Sequence, residues 1–495
     1  MGEVVREMLI SHDSHETRVA FVEDSRLVEL YIERAKKSVV GNVYLGKVHD
    51  VLPGMQAAFV DIGLEKNAFL CVDEVISQGE PLDAAQRHIQ QLLRPGQQLL
   101  VQVLKDPMGT KGARITTEIT LPGRFVVLMP FSQFVGVSRK LSDDERDRLH
   151  AIMAPLVPEG VGAIARTAAV GVAEQELVAD IEFLTRLWKR VERQSREALA
   201  PEIVYSEMDL ALRMVRDAFS NDVHRLVLDD KRLYEKVVSF LKRTSPKLVR
   251  RVTLHKERKA LFDEYGLYPQ IGAALERKVS LPSGGYISID KTEALTAVDV
   301  NTSSYVGKRN LEDTIFRANL EAAEEVARQL RLRDIGGIIV IDFIDMEQPA
   351  HRTQVSERLQ RTLERDRTKT RVMEMSKLGL IEMTRKNVTE GLRETLMTPC
   401  PACHGEGMVL SDTTRRVSVE GRMREILVSG RSSAYLFGLE PSTYGLFSAP
   451  GNNRMAVLRA ETGKHVTIIP DVDCAGGEVR VLMEGRHGSD PSASE

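Results

Sequence analysis

The sequence is poor in cysteine and in net charge. Four cysteines among 495 residues exclude a disulfide scaffold and favour a reducing compartment, so we expect a cytoplasmic protein. The 68 basic and 71 acidic residues leave a net charge of −3, and the whole chain therefore gives no electrostatic sign of a nucleic-acid binder. Such a surface must be local, and the basic clusters at 242–259 and 351–388 are either candidates for it or solvated helix faces.

Long apolar runs are also missing. No run reaches the roughly 20 residues that a membrane-spanning helix needs. The N-terminus lacks the basic, apolar and small-residue order of a signal peptide. We therefore expect no membrane partner. The length and the hydrophobic content of 42% are instead sufficient for several globular domains.

Short alternating strands dominate the N-terminal part of the sequence. TRVAFVED and RLVELYIE (residues 17–24 and 26–33) predict a hairpin that turns at Asp24 and Ser25. From residue 39, glycines interrupt short apolar-alternating segments, a pattern that indicates a small β-barrel. Phe59 and Phe69 lie in its strand-like segments, with Lys105 and Lys111 in a later one.

Aromatic rings stack on bases, and lysines neutralise phosphates. These four barrel residues are therefore candidates for contact with nucleic acid. The alternative is that Phe59 and Phe69 belong to the barrel core.

GGIIVIDFIDM (336–346) has the Ile- and Val-rich composition of a strand buried on both faces, yet it contains Asp342 and Asp345. Before it come the strand ALTAVDVN (294–301) and a long segment of helical periodicity. Strand, helix and strand predict a βαβ crossover with two parallel neighbouring strands.

Asp299 and Asn301 lie two residues apart, so they share one face of the first strand. Asp342 lies near the C-terminal end of the second strand, where ligands of α/β sheets gather. Two facing carboxylates repel unless a cation lies between them, and Mg²⁺ is the simplest such ion. Asp345 is three residues further on and ranks second. The alternative is that Asp342 and Asp345 cap the following helix.

Cys400 and Cys403 form a CxxC motif, a spacing that suits zinc. Structural zinc takes four ligands, so two chains that each supply this pair could share one ion across a two-fold axis. A redox pair, or an intrachain zinc completed by a distant residue, remains open as an alternative.

Five stretches of the chain resemble the ribonuclease E/G family, in the family's order. They are VLPGMQAAFVDIGLEKNAFL, KDPMGTKGARITTEI, TEALTAVDVNT, ARQLRLRDIGGIIVIDFIDM and CPACHGEG. The resemblance implies a Mg²⁺-dependent endoribonuclease that cuts single-stranded RNA, prefers 5′-monophosphorylated ends, and acts in rRNA maturation and mRNA decay. The long Arg- and Pro-rich scaffold tail of ribonuclease E is not found, which favours the G type and no degradosome scaffold.

The resemblance also assigns roles to residues. Asp299 and Asp342 become the Mg²⁺-binding catalytic pair, and Asn301 an assistant at that site. Cys400 and Cys403 become a zinc link between protomers of a homodimer, and a tetramer is left open.

The implied fold class is α/β multidomain, with an S1 (OB-type) β-barrel inserted in a ribonuclease H-like domain. The implied domains are the ribonuclease H-like structural domain (1–38 plus 211–276), the S1 RNA-binding domain (39–118), the 5′-phosphate sensor (119–210), the nuclease-I-like catalytic domain (277–395), the zinc-link (396–410) and a small C-terminal domain (411–495).

The implied 5′-phosphate pocket consists of Gly123, Val127, Arg139, Arg166, Thr167 and Lys369. An arginine fork with a threonine hydroxyl suits a phosphate dianion. Lys369 stands where ribonuclease E has an arginine, which keeps the charge but loses the bidentate geometry.

Two other functions fit parts of the sequence. A non-catalytic S1-type RNA-binding or ribosome-associated protein would use the barrel alone, and a DNA nuclease would use the metal site alone. The carboxylate pair argues against the non-catalytic RNA-binding protein, because a protein that only binds RNA does not need two acidic side chains directed at one point.

Overall fold

A computed structural model defines the fold. It describes residues 4–34, 38–76, 88–107, 111–138, 141–302, 311–376, 378–386, 391–403, 405–449, 451–474 and 477–486. The chain divides into two compact units, Met1–Leu396 and Met397–Glu495.

The strands and helices are numbered separately in chain order. The strands are β1 (Arg6–His12), β2 (Glu16–Glu23), β3 (Arg26–Arg34), β4 (Val43–Leu52), β5 (Ala57–Asp61), β6 (Ala68–Cys71), β7 (Gln98–Lys105), β8 (Arg114–Thr116), β9 (Leu121–Pro122), β10 (Val126–Met129), β11 (Val135–Val137), β12 (Gly162–Ala165), β13 (Glu202–Tyr205), β14 (Arg225–Leu228), β15 (Val252–Leu254), β16 (Lys278–Ser280), β17 (Tyr286–Lys291), β18 (Leu295–Asn301), β19 (Gly337–Asp342), β20 (Thr370–Val372), β21 (Leu380–Arg385), β22 (Ala434–Leu439), β23 (His465–Pro470) and β24 (Arg480–Gly485). The helices are α1 (Ile89–Leu92), α2 (Asp143–Met153), α3 (Glu174–Glu197), α4 (Leu210–Ala218), α5 (Lys231–Thr244), α6 (Leu261–Glu264), α7 (Leu267–Leu275), α8 (Leu311–Leu332), α9 (Pro349–Leu363), α10 (Leu392–Leu396), α11 (Asp412–Ser429), α12 (Pro441–Ser448) and α13 (Arg454–Thr462).

The first sheet joins two distant chain segments. Its strand order is β15-β14-β1-β2-β3, antiparallel from β1 to β3 and parallel from β1 through β14 to β15. The predicted hairpin is confirmed, since Glu23 pairs with Arg26 and the two turn residues Asp24 and Ser25 both have positive φ, at 48° and 66°. Positive φ at both central residues gives the turn that matches the twist of the strands.

A closed barrel lies between these two segments in the sequence. Strands β4, β5, β6, β8 and β7 follow one another, and β4 also pairs with β7 to close the ring. Ala58, Val60 and Leu70 fill its interior together with residues of β7 and β8. The closed five-stranded barrel agrees with the S1-type domain predicted for residues 39–118.

A four-stranded sheet of order β11-β12-β10-β9 follows, with helices α2 and α3 against it. Leu177, Ile181 and Leu184, on one face of α3, pack into the same core as Val126 and Leu128 of β10. This sheet lies within the predicted segment 119–210.

A six-stranded sheet carries the acidic motifs. Its order is β16-β17-β18-β19-β21-β20, and β18 runs parallel to β19. Helix α8 connects these two strands, so the predicted βαβ crossover is confirmed. Helices α8 and α9 pack on one face of the sheet, where Val326, Leu330 and Leu359 meet Ile339 and Ile341.

The second unit contains a smaller sheet of order β23-β22-β24, with α11, α12 and α13. Phe437, Leu458 and Val466 lie in its core. Across the described residues of both units, none of the helices combines the length and apolar character needed to cross a membrane.

Candidate active site

Asp299 and Asp342 lie side by side. They are paired residues of the parallel strands β18 and β19, whose backbones lie about 4.8 Å apart. Both side chains are exposed to solvent. The predicted convergence of these two residues is therefore confirmed, and it results from the return of the chain through α8 to a parallel neighbouring strand.

The face of the sheet that carries the two aspartates is open. Along β19 exposure alternates, since Ile339 and Ile341 are fully buried whereas Ile338 is 52% exposed. The expectation of a strand buried on both faces is thus wrong. Within the part of the chain that the structure describes, helices α8 and α9 cover one face, and the apolar composition of this strand does not reveal which face is left uncovered.

Neither carboxylate of the pair forms an ion pair with a basic side chain in the described part of the chain, although the charge of Asp299 acts on Arg277 at longer range. Partial desolvation of its carboxyl group, and then the charges of Asp299 and Asp345, raise the pKa of Asp342. The amide of Asn301 donates a hydrogen bond of 2.5 Å to Asp299 Oδ2. Within the described residues no salt bridge joins lysine, arginine or histidine to either carboxylate. Such an arrangement favours a bound cation.

The two carboxylates suit Mg²⁺ better than an ion whose ligands must all come from protein side chains. Among the described residues no group of three or more His, Cys, Asp or Glu side chains is placed to hold a metal. Mg²⁺ commonly binds through one or two carboxylates, with water and substrate phosphate completing its shell. Asp299 and Asp342 fit that pattern.

Asp345 lies in the loop after β19, where it is exposed, and it acts on Asp342 through its charge. The capping alternative is wrong, because α9 begins after Gln348 and the described structure shows no side-chain cap for it. A buried residue that the sequence analysis missed holds this loop. The amide of Asn319 exchanges two hydrogen bonds with the backbone of Ile344, at 2.8 and 3.1 Å.

A signal for Asn319 was present in the sequence, as a polar residue among the small apolar residues of α8. It is fully buried beside Ala318, Ala322 and Ala323. A buried amide needs partners, and here it finds them in the backbone next to the carboxylate pair.

A row of side chains crosses the barrel. Phe59 pairs with Phe69, Phe69 with Arg114, and Arg114 with Lys105, across β5, β6, β8 and β7. The two phenylalanine rings meet edge to face, 6.0 Å between centroids. Both are half-buried and lie outside the barrel core, so the core alternative is wrong. Lys111 is exposed just before β8.

Four of the predicted phosphate-pocket residues converge at the ends of β10 and β12. Arg166 follows β12 and donates from Nη1 to the carbonyl of Gly123 at 2.6 Å and to Asp217 Oδ1 at 2.7 Å. Val127 pairs with Ile164, two residues before Arg166. Thr167 directly follows Arg166, is exposed, and begins a short 3₁₀ helix. In the described part of the chain the other two guanidinium nitrogens of Arg166 have no partner.

Two acidic side chains support this pocket, the half-buried Asp217 and the buried Asp180. Although burial opposes it, the guanidinium groups of Arg216 and Arg166 lower the pKa of Asp217. Asp180, on α3, accepts hydrogen bonds from the backbone N–H of residues 124, 125 and 126. A side chain at Gly123 would strike this carboxylate, with Cβ only 2.5 Å from Asp180 Oδ2. Neither acid was among the residues predicted for the pocket.

The other two predicted pocket residues, Arg139 and Lys369, lie elsewhere in the sequence. Arg139 lies outside the described residues. Lys369 is exposed in the segment before β20, on the sheet that carries the aspartates. No hydrogen bond or salt bridge of its side chain is found in the described part of the chain.

Cys400 and Cys403 lie at the start of the second unit. Hydrogen bonds from the backbone of Cys403 and Ala402, and from the Cys403 side chain, lower the pKa of the exposed Cys400 thiol. A thiol that ionises readily is well suited to act as a metal ligand. Within the described residues the pair meets no third ligand, and His404 lies outside them. Cys474 is buried, and its thiol donates to backbone carbonyls.

Two features together indicate an enzyme that acts on nucleic acid. One is the carboxylate pair on the open face of the sheet, and the other is the barrel with its row of aromatic and basic side chains. The Ribonuclease E/G family model matches residues 120–388. Ribonuclease G of Escherichia coli (strain K12) is 42% identical over 470 residues, covering 93% of this chain and 96% of the relative.

Two further relatives agree with this match. Ribonuclease G of Haemophilus influenzae is 45% identical over 488 residues, covering 97% of this chain and 96% of the relative. Ribonuclease E of the same organism is 38% identical over 422 residues, covering 84% of this chain and 45% of the relative. The chain belongs to the ribonuclease E/G family, most like ribonuclease G, and it is an endoribonuclease.

Proposed function

We propose that this endoribonuclease cleaves single-stranded RNA by Mg²⁺-dependent hydrolysis at Asp299 and Asp342, and that it prefers RNA with a 5′-monophosphate. The observation that carries the proposal is the in-register pair of exposed carboxylates on the open face of the six-stranded sheet. Family membership makes a non-catalytic RNA-binding protein, or a DNA nuclease, the weaker explanation of the same site.

Each part of the site has a distinct task. Mg²⁺, when bound, supplies charge stabilisation at the scissile phosphate and lowers the pKa of the attacking water. Asp299 and Asp342 hold the ion, and Asn301 keeps the Asp299 carboxylate oriented through its 2.5 Å hydrogen bond. The fixed loop after β19 keeps Asp342 in place, since its anchor Asn319 is fully buried.

The barrel binds the RNA chain. Phe59 and Phe69 offer ring surface on which bases stack, and Arg114, Lys105 and Lys111 offer charge to the backbone. Arg114 also forms a 3.0 Å salt bridge with Glu74. Since stacking and backbone contacts read little sequence, this surface suits single strands of many sequences. We propose rRNA precursors and mRNA as the RNAs concerned, in the cytoplasm.

The 5′-phosphate preference rests on Arg166. Its Nη1 is held by Gly123 and Asp217, which leaves Nε and Nη2 to face a phosphate in bidentate fashion. Binding of the RNA end there raises the effective concentration of the chain at the carboxylate pair without taking part in the chemistry.

We expect Arg166→Lys to reduce the preference for 5′-monophosphate over 5′-hydroxyl RNA by about tenfold or more, because lysine keeps the charge but not the fork. The measurement is the Mg²⁺-dependent cleavage rate of one short A/U-rich RNA with either end. Cleavage of the 5′-hydroxyl RNA should stay unchanged, as should both rates in Arg193→Lys, a change on the exposed side of α3. Equal rates for the two ends in the unmodified enzyme would contradict the sensor.

We also propose that Cys400 and Cys403 bind zinc together with the same pair of a second chain, to form a homodimer that can assemble further. The lowered pKa of Cys400 and the absence of a third ligand among the described residues support sharing, because structural zinc takes four ligands.

Cys403→Ser is expected to convert the dimer into monomers and to remove the bound zinc, since a hydroxyl is a poor zinc ligand. Sedimentation velocity measures the mass, and atomic absorption measures the zinc, with about one ion for two chains in the unmodified protein. Cys71→Ser, in the barrel, should change neither. A Cys403→Ser protein that stays dimeric would show that the zinc link is wrong or unnecessary.

A further inference from the structure

A recess lies beside the carboxylate pair on the same open face of the sheet. It is a cleft of about 530 Å³ over β20 and β21. Its walls include Arg371, Met373, Ser376, Leu380 and Glu382.

The cleft begins one strand away from the aspartates. Leu380 is the residue of β21 that pairs with Asp342, and Glu382 pairs with Val340 two positions before it. Adjacent strands are separated by about 4.8 Å. A nucleotide whose phosphate lies at Asp299 and Asp342 therefore has its base within reach of this cleft.

We propose that this cleft is a nucleobase subsite, which receives a base next to the scissile phosphate and favours bases with an exocyclic amine over uracil. This inference rests on the proposed function of the carboxylate pair and adds a specificity to it.

The chemistry of the walls supports this occupant. Met373 is 48% exposed, and a thioether packs well against the edge or face of an aromatic ring. The half-buried Leu380 extends this apolar surface towards Asp342. Arg371 is exposed, and its positive charge favours the adjoining phosphates.

Glu382 supplies the selectivity. Its carboxylate is exposed, and within the described residues it has no hydrogen bond and no salt bridge. An ionised carboxylate only accepts hydrogen bonds, so it suits the amine of adenine, cytosine or guanine. Uracil carries the O4 carbonyl oxygen where cytosine carries its amine, and this oxygen repels a carboxylate. Since β21 lies between β19 and β20, the backbone that carries Glu382 is held on both sides.

The experiment uses two sets of four short 5′-monophosphorylated RNAs, which differ only in the base on the 5′ side or on the 3′ side of the cleaved bond. For one of these two positions we expect kcat/KM to be at least about fivefold higher with an amine-bearing base than with uracil. Glu382→Gln should reduce this ratio to less than about twofold, because an amide both donates and accepts.

Glu357→Gln is the matched control. Glu357 is exposed on α9, the helix on the covered side of the sheet, and this variant should keep the full base preference. Met373→Ala should raise KM for all four bases and leave their ranking intact, which tests the apolar wall separately.

Three results would overturn the subsite. They are an unmodified enzyme without base preference at either position, a Glu382→Gln enzyme that keeps the preference, and a Glu382→Gln enzyme that loses the same factor in kcat for all four bases. An unmodified enzyme that cleaves none of these RNAs would instead remove the proposed function, and the subsite with it.

Discussion

Asp299→Asn and Asp342→Asn are each expected to lower the rate of RNA cleavage by about 1,000-fold or more, while RNA binding stays within about threefold. Asparagine preserves the size of the side chain but removes the charge that would hold Mg²⁺ in the proposed mechanism. Because the two residues are register partners on adjacent strands, neither carboxylate has a substitute at the same point. The loss should therefore be similar for both variants.

The measurement is single-turnover cleavage across a range of Mg²⁺ concentrations, with binding measured by fluorescence anisotropy on the same RNA. Asp147→Asn, an exposed change on α2, is the matched control and should retain full activity. If either active-site variant cleaves at more than about a tenth of the normal rate, its residue does not belong to the metal site.

The variants also bear on Asp345. This residue contributes to the raised pKa of Asp342, but it is exposed in a loop and completes no three-acid cluster in the described structure. Its substitution is therefore expected to weaken cleavage far less than that of the register partners.

Glu29→Ala is expected to lower the free energy of unfolding by about 3–5 kcal/mol, the usual cost of leaving buried charges without their partner. Glu29 is 4% exposed. It forms salt bridges with Arg6 at 3.5 Å, with Arg331 at 2.8 Å and with Arg367. Arg331 and Arg367 come from α8 and the segment before β20, so the cluster attaches the first sheet to the sheet that carries the carboxylates.

The charge of Glu29 also gives a pH dependence. Burial opposes its ionisation, but Arg367, Arg331 and Arg6 lower the pKa of Glu29 from 4.5 to about 2. A folded-state pKa below the unfolded value stabilises the fold above the unfolded pKa, and this contribution is lost as the pH falls. The stability difference between the unmodified protein and Glu29→Gln should therefore be constant from pH 7 to about 5 and should shrink below about 4.5.

Urea unfolding followed by circular dichroism measures both effects. Glu197→Ala, an exposed change near the end of α3, is expected to stay within about 0.5 kcal/mol of the unmodified protein. A Glu29→Ala protein of normal stability, or a Glu29→Gln difference that grows below pH 4.5, would show that the three arginines do not depend on this carboxylate.

The sequence by itself determined the features that depend on neighbouring residues and on chain chirality. Positive φ at Asp24 and Ser25 follows from a two-residue connection between alternating strands. The meeting of Asp299 with Asp342 follows from strand, helix and strand, because such a crossover is almost always right-handed and joins parallel neighbours.

Only the tertiary structure decided which surfaces are covered. The apolar composition of β19 predicted burial on both faces, yet Ile338 is 52% exposed, because helices pack on one side alone. The same applies to Phe59 and Phe69, whose alternation places them on one face of their strands without telling whether that face is the inside of the barrel.

Partners that are distant in the chain were also beyond the sequence. Asp217 lies 51 residues from Arg166, and Glu29 lies 302 residues from Arg331. The periodicity of a strand or helix states where a side chain points relative to its own element. What meets it there depends on how the elements pack, and the buried charges and the open cleft at Glu382 were therefore found only in the folded chain.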